Sequence, residues 1–143
     1  MSINAFLENL SYAQSGAKFA ELQPAASGIN VDLLKAAVEA VLAGGDDAKV
    51  EGPLADALKA GFEFAAKLVK ELKSKPGQEE MLTFYKYFKQ ASNDPPSKPG
   101  LMDFVGKAKY NAWEKIKDIS DQRAQALYIQ EVSKAIEAYG TNE

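Results

Sequence analysis

Apolar residues in the C-terminal part of the chain recur at intervals of three and four, the period of a helix that buries one face. Leu54, Leu58, Phe62, Ala65, Val69 and Leu72 share such a face. Ser74-Lys75-Pro76-Gly77 ends that helix, because proline disfavours α geometry in the residue before it. A second helix starts at Gln78-Glu79-Glu80, where acids meet the positive end of the helix dipole, and carries Met81, Leu82, Phe84, Tyr85 and Phe88 to about Ala91. Residues 92–101 hold three prolines and read as a loop. A third helix is predicted over 103–117, with Phe104, Ala108, Ala112, Trp113 and Ile116 inward. Ser120 suits the N-cap of a fourth, whose apolar positions are Ala124, Leu127, Tyr128, Val132, Ala135, Ile136 and Tyr139, and Gly140 suits its end. No segment alternates with period two, so no strand is expected. The pattern predicts an all-α four-helix bundle.

The N-terminal part is more broken. Val31, Leu34, Val38 and Val41 predict a short amphipathic helix over residues 31–43, and Phe6, Leu7, Leu10 and Phe19 a weaker one within 4–22. Gln23-Pro24-Ala25-Ala26-Ser27-Gly28 and Gly44-Gly45-Asp46-Asp47 read as loops. The division is residues 1–53, a partly helical extension, and residues 54–143, the bundle.

Composition then narrows the chemistry. The chain has 143 residues and neither Cys nor His, which removes disulfides, thiol nucleophiles, Ser-His-Asp triads and the usual zinc sites. No metal site and no catalysis are expected. No apolar run reaches the roughly 20 residues that span a bilayer, and the start carries no basic leader, so the expectation is a cytoplasmic protein. The net charge of −3 is uneven: residues 1–58 hold three lysines against eight acids, so the positive charge belongs to the bundle.

Tyr85 and Lys89 are four apart on one helical face beside Phe88, and Lys107 and Lys109 flank Tyr110. Tyrosine rings with adjacent ammonium groups can stack on and neutralise a phosphorylated aromatic ligand. Spacing alone leaves two other readings open: core tyrosines with solvated lysines at the rim, or a nucleic-acid surface.

Two longer segments narrow this. Pro-Gly-Gln-Glu-Glu-Met-Leu-Thr-Phe-Tyr-Lys-Tyr-Phe-Lys-Gln-Ala (76–91) and Lys-Pro-Gly-Leu-Met-Asp-Phe-Val-Gly-Lys-Ala-Lys-Tyr-Asn-Ala-Trp (98–113) together resemble the acyl-CoA-binding protein family. The resemblance covers about residues 58–140. It implies an up-down-down-up bundle that reversibly binds, buffers and transports medium- to long-chain fatty acyl-CoA esters. It implies no catalytic residue and no cofactor beyond that ligand. Tyr85, Lys89 and Lys109 match positions that contact adenine and the 3′-phosphate. Tyr128 matches a fourth pocket residue, Lys70 a basic contact, and Ala66, Met81 and Leu82 positions that cover the acyl chain. Phe88 stands where many members have Tyr, keeping the stacking face without the phenol. Lys86 replaces a small residue, and the loop after Lys-Gln-Ala is about two residues shorter. The implied partners are long-chain acyl-CoA and, transiently, acyl-CoA-using enzymes or membranes, with no nucleic acid, for a monomer. Residues 1–53 have no counterpart in the family's minimal domain. The alternative is a helical interaction module that docks a partner through this extension, with Val31, Leu34, Val38 and Val41 exposed. A fragment starting near Glu51 is expected to fold and to keep its ligand.

Overall fold

The structure, a computed structural model, describes residues 3–142. Its helices are α1 (Asn4–Ser15), α2 (Gln23–Ala26), α3 (Val31–Ala43), α4 (Pro53–Leu68), α5 (Gln78–Ala91), α6 (Phe104–Glu114) and α7 (Asp121–Tyr139). Three-residue 3₁₀ turns precede α2 (Ala20–Leu22) and follow α4 (Val69–Glu71). Among the described residues there is no strand, only an isolated bridge between Leu72 and Thr141.

The expected helix ends are built by the expected chemistry. The Ser120 hydroxyl accepts from the Arg123 N–H at 3.0 Å, and Gly140 closes α7 with φ 72°. Gly77 has no side chain to cap α5, so its own N–H donates to Glu80 Oε1 at 3.0 Å. Three details differ. The run from Gln23 is a single helical turn, since Pro24 is tolerated where no amide partner is needed. The 4–22 helix stops at Ser15, where Gly16 turns left-handed at φ 80°. The third bundle helix ends at Glu114 instead of 117.

Helices α4 to α7 form the four-helix bundle. The long 92–103 connection carries the chain back along the bundle, so that α6 packs beside α5 as a parallel neighbour. The extension is not a separate arm. Helices α1 and α3 pack on α7, and α2 and α3 pack on α4. Phe6 meets Phe64 edge-on with ring centroids 5.9 Å apart, and the Phe6 N–H donates to the buried Ser133 hydroxyl at 3.1 Å. Leu34, Val38 and Val41 are buried and Val31 is half-buried. The exposed docking face that an interaction module would need is therefore closed inside one continuous core. The 44–50 connection is also strapped down. Arg123 Nη1 donates to the carbonyls of Val41 and Gly44 at 3.1 and 3.0 Å, and Gln122 pairs with both the N–H and the C=O of Val50.

This explains a second apolar stripe on α4. Ala57, Gly61, Phe64 and Leu68 are buried as well as Leu58, Phe62 and Ala65. Gly61 permits the close approach: a Cβ there would lie 2.5 Å from Leu34 Cδ1.

Candidate functional site

Opposite the extension, α4 to α7 leave a cleft of about 1540 Å³. Most small-molecule pockets are roughly 300–1,000 Å³, so the volume calls for a large ligand. Its apolar floor includes Phe62, Ala66, Leu72, Met81, Leu82, Phe84 and Phe88, and its mouth includes Phe104 and Val105. Among the described residues four lysines line it, Lys67, Lys70, Lys75 and Lys109, against one acid, Glu63. An apolar trough bordered by cations suits an amphipathic anion, because the anionic end cannot leave water without counter-charges.

Local geometry sets each side chain. Tyr128, from the middle of α7, is only 3% exposed at the floor. Its ring meets Phe62 at 5.2 Å, Phe84 at 5.7 Å and Phe88 at 6.1 Å, so a single phenol sits within an aromatic cluster. Burial pushes that phenol above the ordinary tyrosine range, which keeps it a neutral hydrogen-bond donor. Tyr85 carries two cations at its ring, Lys109 Nζ at 5.1 Å and Lys89 Nζ at 5.9 Å from the centroid.

The helices that carry Tyr85 and Lys109 are held together by the ends of the two sequence segments. Trp113 Nε1 donates to Gln90 Oε1 at 3.0 Å. Gln90 Nε2 donates in turn to the carbonyls of Lys117 and Ile119 at 2.9 and 2.6 Å. One amide thus pins α6 and the turn after it onto α5, and sets Lys109 over Tyr85. At the other end of α6, the Asp103 carboxylate accepts from the Gly106 N–H at 2.8 Å. A Cβ at Gly106 would sit 2.2 Å from Asp103 Oδ2, so a larger residue there would make that exposed carboxylate shift.

A profile described as "Acyl CoA binding protein" matches residues 59–132, just over half the chain. An acyl-CoA-binding protein homolog of Manduca sexta is 43% identical over 86 residues, 58% of this chain and 96% of the relative. Homolog 1 of Caenorhabditis elegans is 40% identical over 81 residues, 55% of this chain and 94% of its own. The homolog of Drosophila melanogaster is 44% identical over 80 residues, 54% and 93%. The chain belongs to the acyl-CoA-binding protein family.

The positions matched to that family fall together with one exception. Lys70, Tyr85, Phe88, Lys109, Tyr128, Ala66, Met81 and Leu82 all line the cleft. Lys89 stands at its edge, beside Tyr85, with its ammonium 2.9 Å from Asp94 Oδ2. Lys70 lies in the 3₁₀ turn after α4, not in the helix proper. Phe104 was expected inward but is 68% exposed. The sequence reading overlooked Lys67 and Lys75. Lys67 was within reach of it: it precedes Lys70 by three residues, hence on the same side of the helix end. Among the described residues no group of acids could hold a metal ion, and no helix is long and apolar enough to cross a membrane.

Proposed function

We propose that this protein reversibly binds long-chain fatty acyl-CoA in the α4–α7 cleft, buffering the ester and carrying it between membranes and the enzymes that use it. The observation that carries the reading is one cavity in which an apolar floor adjoins Lys70, Lys109 and the ring of Tyr85. Ala66, Met81 and Leu82 would cover the acyl chain. Lys70, Lys89 and Lys109 would meet the phosphates, and Tyr85, Phe88 and Tyr128 would offer ring faces and the Tyr128 phenol to the head group. Burying ten methylenes at roughly 0.8 kcal/mol each gives on the order of 8 kcal/mol before association costs, enough for tight binding without any chemical step. Residues 54–143 hold the ligand, and residues 1–53 act as a structural cover on the far side, since none of the described ones lines the cleft.

Calorimetric titration tests this. Palmitoyl-CoA is expected to bind far more tightly than free CoA or palmitate, because each fragment loses one of the two contributions. Equal affinity for palmitate would reduce the protein to a general fatty-acid binder.

A further inference from the structure

One wall of the cleft has little structure of its own. Residues 69–76 follow α4 and bring Lys70, Leu72 and Lys75 to the cavity. Lys70, Lys73 and Lys75 stand there within six residues, against Glu71. After the 3₁₀ turn the chain is extended at Leu72, with φ −62° and ψ 137°. The backbone bond that closes the turn, from the Leu72 N–H to the Val69 carbonyl, is long at 3.4 Å. An extended segment needs partners for its N–H and C=O groups from elsewhere in the chain.

Residues 140–142 supply them. The Lys73 N–H donates to the Gly140 carbonyl at 2.9 Å, and the Asn142 N–H donates to the Glu71 carbonyl at 2.8 Å. These two bonds flank the bridge between Leu72 and Thr141. Thr141 is fixed in turn from the far side. Lys18 Nζ donates to its hydroxyl at 3.2 Å, and the hydroxyl donates to Oδ1 of the buried Asn9 at 3.4 Å. The neighbouring Tyr139 hydroxyl donates to Glu80 in the first turn of α5, where the same wall ends. Residues 139–142 thus form a strut, with α1 behind it and the lysine-bearing wall in front. The strut itself does not line the cleft.

We propose that Gly140 and Asn142 are positioning residues for acyl-CoA binding, whose backbone bonds hold Lys70 and Leu72 at the cleft without touching the ligand. The proposal rests on the acyl-CoA reading above. Without these bonds the ligand would have to order the wall itself, which weakens binding; with them the wall is in place beforehand.

The test compares variants of the full chain by calorimetric titration with palmitoyl-CoA. Asn142→Pro removes the N–H that Glu71 accepts, whereas Asn142→Ala keeps it, and Asn142 is exposed. Lys73→Pro removes the other donor, and the extended Leu72 suits a residue before proline; Lys73→Ala keeps that N–H. Each proline variant should keep the helical circular dichroism of the parent and bind about threefold more weakly than its alanine counterpart, a partial loss of an exposed charged contact. In a Lys70→Ala background the difference should shrink below about twofold, because the chief contact that the strut positions is already gone. Proline and alanine variants that bind alike overturn the proposal. A proline loss of the same size with and without Lys70 also overturns it, as a general loosening of the fold. A parent that fails to bind palmitoyl-CoA sinks the acyl-CoA reading and this proposal with it, whereas a parent that binds, with all four variants unchanged, sinks this proposal alone.

Discussion

Gly61→Ala sets two effects against each other at one position of α4. Alanine in a helix interior is favoured over glycine by about 1 kcal/mol. The new Cβ, however, would lie 2.5 and 2.8 Å from Leu34 Cδ1 and Cδ2. Leu34 is fully buried in the core and has no open space into which to swing. Overpacking of this kind costs about 1–3 kcal/mol, so the net effect is a loss of about 1 kcal/mol. Removing the obstacle reverses the sign. Leu34→Ala alone should destabilise by about 2–5 kcal/mol, but in that background Gly61→Ala should stabilise by up to about 1 kcal/mol. The coupling between the two sites is then about 2 kcal/mol, in the range seen for residues in direct contact. Urea unfolding of the four proteins by circular dichroism measures it. A stabilising Gly61→Ala in the parent, or the same effect in both backgrounds, would show that α3 does not lie on α4 at this closeness.

The other expectations concern the cleft and its support. Lys109→Ala should weaken acyl-CoA binding about tenfold, the low end for a charge-assisted bond because the side chain is exposed, yet hardly change binding of the 3′-dephospho ligand; equal losses for both would show that Lys109 does not meet that phosphate. Asp94→Asn frees the Lys89 ammonium from its 2.9 Å partner and should raise affinity by up to about fivefold, an exposed pair being worth about 0.2–1 kcal/mol, with the gain shrinking at high salt; lower affinity would place Asp94 on the ligand's side. The Tyr139 hydroxyl donates to Glu80, which lowers the Glu80 pKa from 4.5 and raises that of Tyr139 from 10.0. The Glu80 contribution is present above the ordinary carboxyl range and fades as pH falls through its folded value, while that of Tyr139 is present below its unfolded value and fades as pH rises through the raised one. The stability difference between parent and Tyr139→Phe should therefore be flat from roughly pH 6 to 9 and shrink at both extremes; a difference unchanged at both extremes would refute the link.

Much of the bundle was legible because its signals are local. Ser120, Gly140 and the Ser74–Gly77 break act within a few residues, and the apolar period of α5 and α7 survives in the packed structure. Most matched site residues meet in the cleft because the segments around Gln90 and Trp113 fix how α5 and α6 lie together. What was missed is non-local. The second stripe on α4, Ala57, Gly61, Phe64 and Leu68, repeats at helical spacing in the sequence, but only the extension explains why two faces of one helix need burial. The bareness of Phe104 was equally hidden, since apolar periodicity marks a face without saying that something covers it. For the fragment starting near Glu51, every cleft residue remains, but Phe64 loses Phe6 and Gly61 loses Leu34. Its loss should appear in stability before it appears in affinity.

The bond from the Phe6 amide to the Ser133 hydroxyl also bears on how the chain is made. Its partners lie 127 residues apart, and Phe64, which packs on the Phe6 ring, is synthesised about midway between them. At translation rates of roughly 5–20 residues per second, the first helix waits on the order of ten seconds for the last one to leave the ribosome. Until then Phe6 and Leu10, both fully buried in the finished protein, have no completed core to enter. Within the extension, α1 thus waits for its partner α7 far longer than α3, whose partner α4 begins ten residues after it ends.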